Sequence, residues 1–68
     1  MINVTHHNGK LRAVNTATLA VQESEGPNEY GWAHQAARNV SQPPCIVKHE
    51  TTIVKSNGAT LYVFEVTP

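Results

Sequence analysis

Apolar and polar residues alternate along the first fifteen positions of the chain, on both sides of the dipeptide Asn8-Gly9. Asn-Gly favours a type I′ hairpin turn because both of its positions tolerate a positive φ angle. A hairpin closed by this turn pairs His7 with Lys10. One face of the predicted hairpin then carries the aliphatic side chains Ile2, Val4, Leu11 and Ala13.

The next apolar segment predicts a third strand. Thr16 to Glu23 mixes β-branched and apolar residues, and its alternation places Leu19 and Val21 on one side. The polar stretch from Ser24 to Asn28 is rich in residues that favour turns and helix starts. We therefore expect the chain to leave the sheet after Glu23.

From Asn28 to about Ser41 the apolar period changes from two to between three and four residues, which predicts a helix. The predicted buried stripe consists of Tyr30, Ala33, Ala37 and Val40, with Ala36 on the same flank. Asn28 is the predicted N-cap. Pro43-Pro44 is expected to prevent any continuation of the helix because proline has no backbone N–H to donate.

Two further strands are predicted at Cys45–Lys55 and Ala59–Val66, which are rich in β-branched and aromatic residues and flank Asn57-Gly58. A two-residue loop would set two glutamates opposite each other, at a cost in stability. We therefore expect a three-residue loop with Gly58 in the left-handed conformation. The pairs predicted by this register are His49 with Glu65 and Ile53 with Leu61.

Together these elements predict an α+β fold: an antiparallel sheet of about five strands, in the chain order β-β-β-α-β-β, with one helix packed on one face. The 68 residues are enough for a single small domain, 1–68, with a thin core. Local patterns leave the order of the strands in the sheet undetermined.

Charge and hydropathy narrow the expected partners. Five Lys and Arg residues balance five Asp and Glu residues, so the chain has no positive surplus with which to attract phosphates. We therefore expect no strong direct nucleic-acid binding.

No apolar run approaches the roughly 20 residues that span a bilayer, and the first residues lack the pattern of a secretion signal. We expect no membrane partner and a cytoplasmic location, which is the host cytoplasm if the chain is phage encoded.

Four histidines and the single cysteine, Cys45, raise the question of a metal or catalytic site. His6 and His7 are adjacent on a strand, so their side chains point to opposite faces, and no CxxC, HxH or HExxH spacing occurs. A nucleophile formed by Cys45 with His34 or His49 would also need an orienting group and an oxyanion site. We expect no catalytic residues, no metal and no cofactor.

The polar face of the helix is the predicted partner-binding surface. It carries His34, Gln35, Arg38 and Asn39 and is short of Glu and Lys, which is unusual for a face that is merely solvated. Trp32 projects to the flank of the helix. There it either caps the edge of the interface between helix and sheet or serves as an exposed aromatic anchor for a partner.

The residues Gln35, Ala36, Arg38, Ser41 and Cys45, followed by Asn57-Gly58 before an apolar strand, resemble those of small phage-encoded anti-CRISPR proteins, the type I-F inhibitors. The resemblance covers roughly residues 34 to 64. It implies an antiparallel sheet with one helix, and binding to a crRNA-guided surveillance complex so that target DNA cannot hybridise. The helix of such a relative supplies basic and polar contacts. Arg38 matches this pattern, whereas Ala37 replaces a second basic residue and Pro44 replaces a polar one.

We therefore expect a phage or mobile-element accessory protein that binds and inhibits a host protein or ribonucleoprotein, with an anti-CRISPR as its specific form. Two alternatives remain. The first is a small nucleic-acid-binding module that uses the basic side chains and an aromatic stacking platform. Its residues would be Lys10, Arg12, Lys48 and Lys55, with Tyr62 or Phe64 as the platform. The second is a homo-oligomeric structural protein assembled through the open edges of the sheet.

Overall fold

The computed structural model describes residues 1–68 and contains one five-stranded sheet and one helix. The elements are β1 (Ile2–His7), β2 (Lys10–Asn15), β3 (Val21–Glu25), α1 (Tyr30–Val40), β4 (Ile46–Val54) and β5 (Thr60–Thr67). All neighbouring strands are antiparallel, in the order β3-β2-β1-β5-β4. The predicted α+β fold is confirmed, and β3 and β4 form the two edges. The helix, eleven residues long, is too short to cross a membrane.

The first hairpin has the predicted register. His7 lies opposite Lys10, and the turn residues Asn8 and Gly9 have φ angles of 52° and 76°, as a type I′ turn requires. The four aliphatic side chains predicted to share a face are all buried. The local chemistry of the turn therefore determines which face of β1 and β2 enters the core.

The second hairpin has the predicted loop. Ile53 lies opposite Leu61, and the amide of Lys55 donates to the carbonyl of Ala59 across the turn at 2.8 Å. Gly58 has a φ angle of 88°, in the left-handed region expected for it. The prediction is confirmed at this end of the two strands.

At the other end of the hairpin the predicted pair of His49 with Glu65 is wrong. His49 lies opposite Phe64 because the register shifts between His49 and Thr51, where β4 contains a bulge. An extra residue in one strand moves every later pair by one position. Glu65 instead lies opposite Lys48, which puts opposite charges beside each other.

The third strand begins later than the predicted span Thr16–Glu23. The side-chain oxygen Oδ1 of Asn15 accepts hydrogen bonds from the amides of Ala17 (3.0 Å) and Thr18 (3.3 Å), so this segment folds into a turn. Leu19 has a left-handed φ of 65° and is exposed, which contradicts its predicted place in a strand. β3 follows this turn, and its last two residues lie in the stretch where a turn was expected.

Helix α1 packs on the face of the sheet formed mainly by β1 and β2. Its buried residues are Ala33, Ala36, Ala37 and Val40. Three small alanine side chains let the helix axis approach the sheet closely, so the thin core is filled mainly from the sheet side. Tyr30, predicted in the same stripe, is half-exposed and packs on the flank against Phe64, with ring centroids 6.1 Å apart.

The predicted N-cap is also wrong. Glu29 occupies the N-cap position without a side-chain capping bond. The side chain of Asn28 instead reaches β5, where Nδ2 donates to Thr60 Oγ1 at 3.0 Å and Oδ1 accepts from the hydroxyl of Tyr62 at 2.6 Å. Asn28 therefore ties the start of the helix to the sheet. The helix ends at Val40, before Pro43-Pro44, as predicted.

Gly31 provides a test of how backbone freedom affects the stability of the helix. A Cβ atom added at this position would meet no heavy atom within 4 Å outside its own helix backbone. We expect Gly31→Ala to raise the free energy of unfolding by about 0.5–1 kcal/mol, because alanine loses less backbone freedom on folding. Gly58→Ala, at a left-handed position, should lower it by about 1–2 kcal/mol. Urea denaturation measures both, and a less stable Gly31→Ala would contradict this account.

Candidate functional site

A groove separates the polar face of α1 from the start of β4. One wall is formed by the helical residues His34, Gln35, Arg38 and Asn39, and the other by Ser41 and residues 43–47. We call this the α1/β4 groove. It exists because α1 covers β1 and β2 while β4, at the far edge of the sheet, extends beyond the helix. Four of the five predicted partner-binding residues therefore lie in one groove.

His34 connects the two walls of the groove. Its Nε2 atom is hydrogen-bonded to the carbonyl oxygen of Val47 at 3.2 Å, so this nitrogen is the donor. Its ring stacks on Tyr30, one helical turn earlier, with centroids 5.8 Å apart and an interplanar angle of 8°. The bond to β4 fixes the distance between helix and strand, and hence the width of the groove.

Arg38 is an exposed cation without a carboxylate partner. The ion pair of this chain joins Arg12 and Glu23 at 3.4 Å, on the face of the sheet away from the helix. No Asp or Glu lines the α1/β4 groove. Beside Arg38, the amides of Gln35 and Asn39 bond to each other at 3.0 Å. The groove therefore presents a positive charge with polar amide groups around it.

Trp32 lies apart from the other four predicted residues. At about 100° per helical residue, it is separated from His34 by about 200° around the axis, and so it faces β3 instead of β4. Its ring covers the backbone of Gly26: a Cβ atom added there would lie 3.1 Å from Trp32 Cε3. Half of the residue remains exposed. Trp32 thus combines features of both alternatives, the packed edge and the exposed aromatic.

Sequence reasoning missed an aromatic cluster beneath the groove. Tyr30, His34 and His49 surround Phe64, with ring centroids between 5.1 and 6.1 Å apart. The spacing of Tyr30 and His34 on the helix could have revealed one of these contacts. The position of His49 depends on the bulge in β4 and leaves no local signal. This cluster supports the helix wall from below.

The groove contains Cys45 and His34, one of the two pairs that could form a cysteine nucleophile and its base. The Nε2 atom of His34 is bonded to Val47, and that of His49 to the hydroxyl of Thr52 at 2.7 Å. Nowhere do three His, Cys, Asp or Glu side chains lie close enough to hold a metal ion. The groove offers one cation, two side-chain amides and a partly apolar strand, which are the components of a recognition surface.

The structure does not offer the aromatic platform that the alternative of a nucleic-acid-binding module requires. Tyr62 and Phe64 are buried on the face of the sheet that the helix covers. The register places Lys10, Arg12 and Lys48 on the opposite face, away from both aromatic rings, and Lys55 follows the end of β4. Stacking of bases between these aromatic and basic side chains is therefore ruled out.

Comparisons of the chain with protein-family models, with curated proteins and with solved structures found no match. Its function is therefore inferred from the residues and geometry of the chain itself.

Proposed function

We propose that this chain is a small binding protein that inhibits a host protein or ribonucleoprotein by docking its α1/β4 groove onto it. The observation that carries this proposal is the environment of Arg38: an exposed arginine without an ion pair, in a groove without carboxylates. Arginine is enriched at the hot spots of protein interfaces. Gln35, Asn39 and His34 supply the polar surround of such a contact.

The resemblance to type I-F anti-CRISPR proteins supports a more specific form of this proposal. Under it, a phage or mobile element encodes the chain, which binds a crRNA-guided surveillance complex and prevents hybridisation of target DNA. Gln35, Arg38 and Cys45, which carry part of the resemblance, line the groove. Ala37, where a second basic residue would be expected, is fully buried against the sheet. The proposed surface therefore depends on a single arginine.

Arg38→Ala should weaken binding to a purified type I-F surveillance complex by about 1–3 kcal/mol, with a smaller salt dependence, because it removes the only cation of the groove. The free energy of unfolding should change by less than about 0.5 kcal/mol, since the side chain is exposed. Calorimetric titration measures the binding, and a thermal melt of the same variant measures folding.

Arg12→Ala is the matched control, because Arg12 is also exposed but lies on the opposite face of the sheet. It should bind the complex like the unaltered chain. Full binding by a stably folded Arg38→Ala would place the interface outside the α1/β4 groove. If the unaltered chain does not bind the complex, the anti-CRISPR form of the proposal fails.

A further inference from the structure

The outer edge of β4 lies beside the groove and has no neighbouring strand. β4 is the last strand of the sheet and is nine residues long, whereas β3, at the opposite edge, has five residues. An edge strand presents a row of unpaired N–H and C=O groups to which another extended chain can bond. We infer that the α1/β4 groove takes an extended acidic segment of the partner protein, which adds a strand at Ile46–His49. This inference rests on the proposed function.

The bulge in β4 limits where such a strand can pair. The regular ladder is interrupted between His49 and Thr51, so the edge before the bulge, Ile46–His49, forms a separate short template. The groove includes the first two residues of this template. Strand addition would therefore be confined to the part of β4 that faces the polar side of α1.

The charge of the groove selects an acidic segment. Arg38 has no carboxylate partner, and none lines the groove. A carboxylate on the added strand would supply the missing charge in a hydrogen-bonded ion pair. One cation is few for a nucleic-acid backbone, whose affinity grows with the number of phosphates contacted. A row of peptide N–H and C=O groups is complementary to another peptide backbone, which also favours a polypeptide.

The groove also offers apolar contact and a fixed shape. Ile46 is 65% exposed, which leaves it free to contact an aliphatic side chain of the added strand. The bond from His34 to the carbonyl of Val47 holds helix and strand together before any partner arrives. A carbonyl oxygen has two lone pairs, so Val47 can accept a second hydrogen bond. Binding would therefore require little rearrangement of the groove.

A second copy of the chain is a less suitable occupant. Its acidic extended segment would be β3, which carries Glu23 and Glu25. Glu23 is already paired with Arg12 of its own chain at 3.4 Å, and Glu25 lies opposite Lys10 on β2. A separate acidic segment supplies a carboxylate for Arg38 without removing either glutamate from its basic neighbour, and so we assign the groove to a partner protein.

The test begins with a random library of ten-residue peptides, displayed on phage and selected on the full chain at physiological salt. We expect the selected peptides to alternate β-branched residues with Asp or Glu. The strongest peptide, made synthetically, should shift the NMR amide signals of Ile46–His49 and of Arg38. Arg38→Gln should weaken its binding about tenfold, whereas Arg12→Gln should leave it unchanged.

Backbone methylation distinguishes strand addition from other modes of binding. An added strand bonds to the edge through the N–H groups of every second residue. Two versions of the peptide, methylated on alternate sets of amides, should therefore differ: one loses binding and the other keeps it. Equal binding by both versions, selection of basic or helical peptides, or recovery of no peptide would overturn the inference.

Two further outcomes separate this inference from the proposed function. If sedimentation shows that the free chain forms oligomers in which the amides of Ile46–His49 are protected, a second copy occupies the edge and the inference is wrong. If the peptides fail but Arg38→Ala still weakens binding to the surveillance complex, strand addition is wrong and groove docking stands. If the peptides bind as expected while the complex does not, the assigned partner is wrong.

Discussion

Phe64→Ala is expected to leave the chain largely unfolded at room temperature. Phe64 is fully buried on β5, opposite Ile2, and its ring lies 5.6 Å from that of His34 and 6.1 Å from that of Tyr30. Replacing a buried phenylalanine by alanine costs about 3–5 kcal/mol, through lost burial and the cavity left behind. A single core in a domain of this size rarely supplies more than about 3–5 kcal/mol.

Far-UV circular dichroism and urea denaturation test this expectation. Phe64→Leu is the matched control, because leucine refills most of the cavity and should cost only about 1–2 kcal/mol. This variant should therefore keep a cooperative unfolding transition. If Phe64→Ala unfolds cooperatively at a urea midpoint close to that of the unaltered chain, residues other than Phe64 supply most of the stability of the core.

Asn15→Ala is expected to lower the free energy of unfolding by about 2–3 kcal/mol, through the loss of several partly or fully buried hydrogen bonds. Asn15 is buried at the end of β2, and its Nδ2 atom donates to the carbonyl of Val40 at 3.1 Å. Its Oδ1 atom accepts from the amides of Ala17 and Thr18. One side chain thus holds both the end of the helix and the turn before β3.

Asn15→Asp separates these two roles. The carboxylate keeps the acceptor for the two turn amides but cannot donate to the carbonyl of Val40, and it adds a buried charge. Burial and the facing carbonyl of Val40 favour the neutral carboxyl, and we expect them to outweigh the two amide bonds, which favour the carboxylate. The pKa of the new carboxyl should therefore rise above its unfolded value of about 3.9. At each pH the free energy of unfolding of Asn15→Asp is compared with that of the unaltered chain. The difference should shrink as the pH falls through the raised pKa. Chemical denaturation at several pH values measures this, and a difference independent of pH would contradict the assigned bond to Val40.

The sequence by itself determined the types of the elements and most of the local registers. Asn8-Gly9 and Gly58 specified the two hairpin turns, because these residues tolerate the positive φ angles that such turns need. The alanine stripe of the helix identified its buried face, and so also the outward position of Arg38. These features depend on residues within a few positions of one another, and short-range patterns are sufficient to predict them.

Only the tertiary structure decided the strand order and the bulge in β4, which depend on pairing between residues far apart in the sequence, such as that of β1 with β5. The turn that delays β3 combines local bonds from the amides of Ala17 and Thr18 to Asn15 Oδ1 with the long-range bond from Asn15 Nδ2 to Val40. The α1/β4 groove also depends on contacts between distant residues, such as the bond between His34 and Val47. Its helix wall was predictable from helical spacing, but its strand wall exists because β5 pairs with β1 and leaves β4 at the edge beyond the helix. Pairing between distant strands is set by the packing of the whole core, which no local pattern encodes.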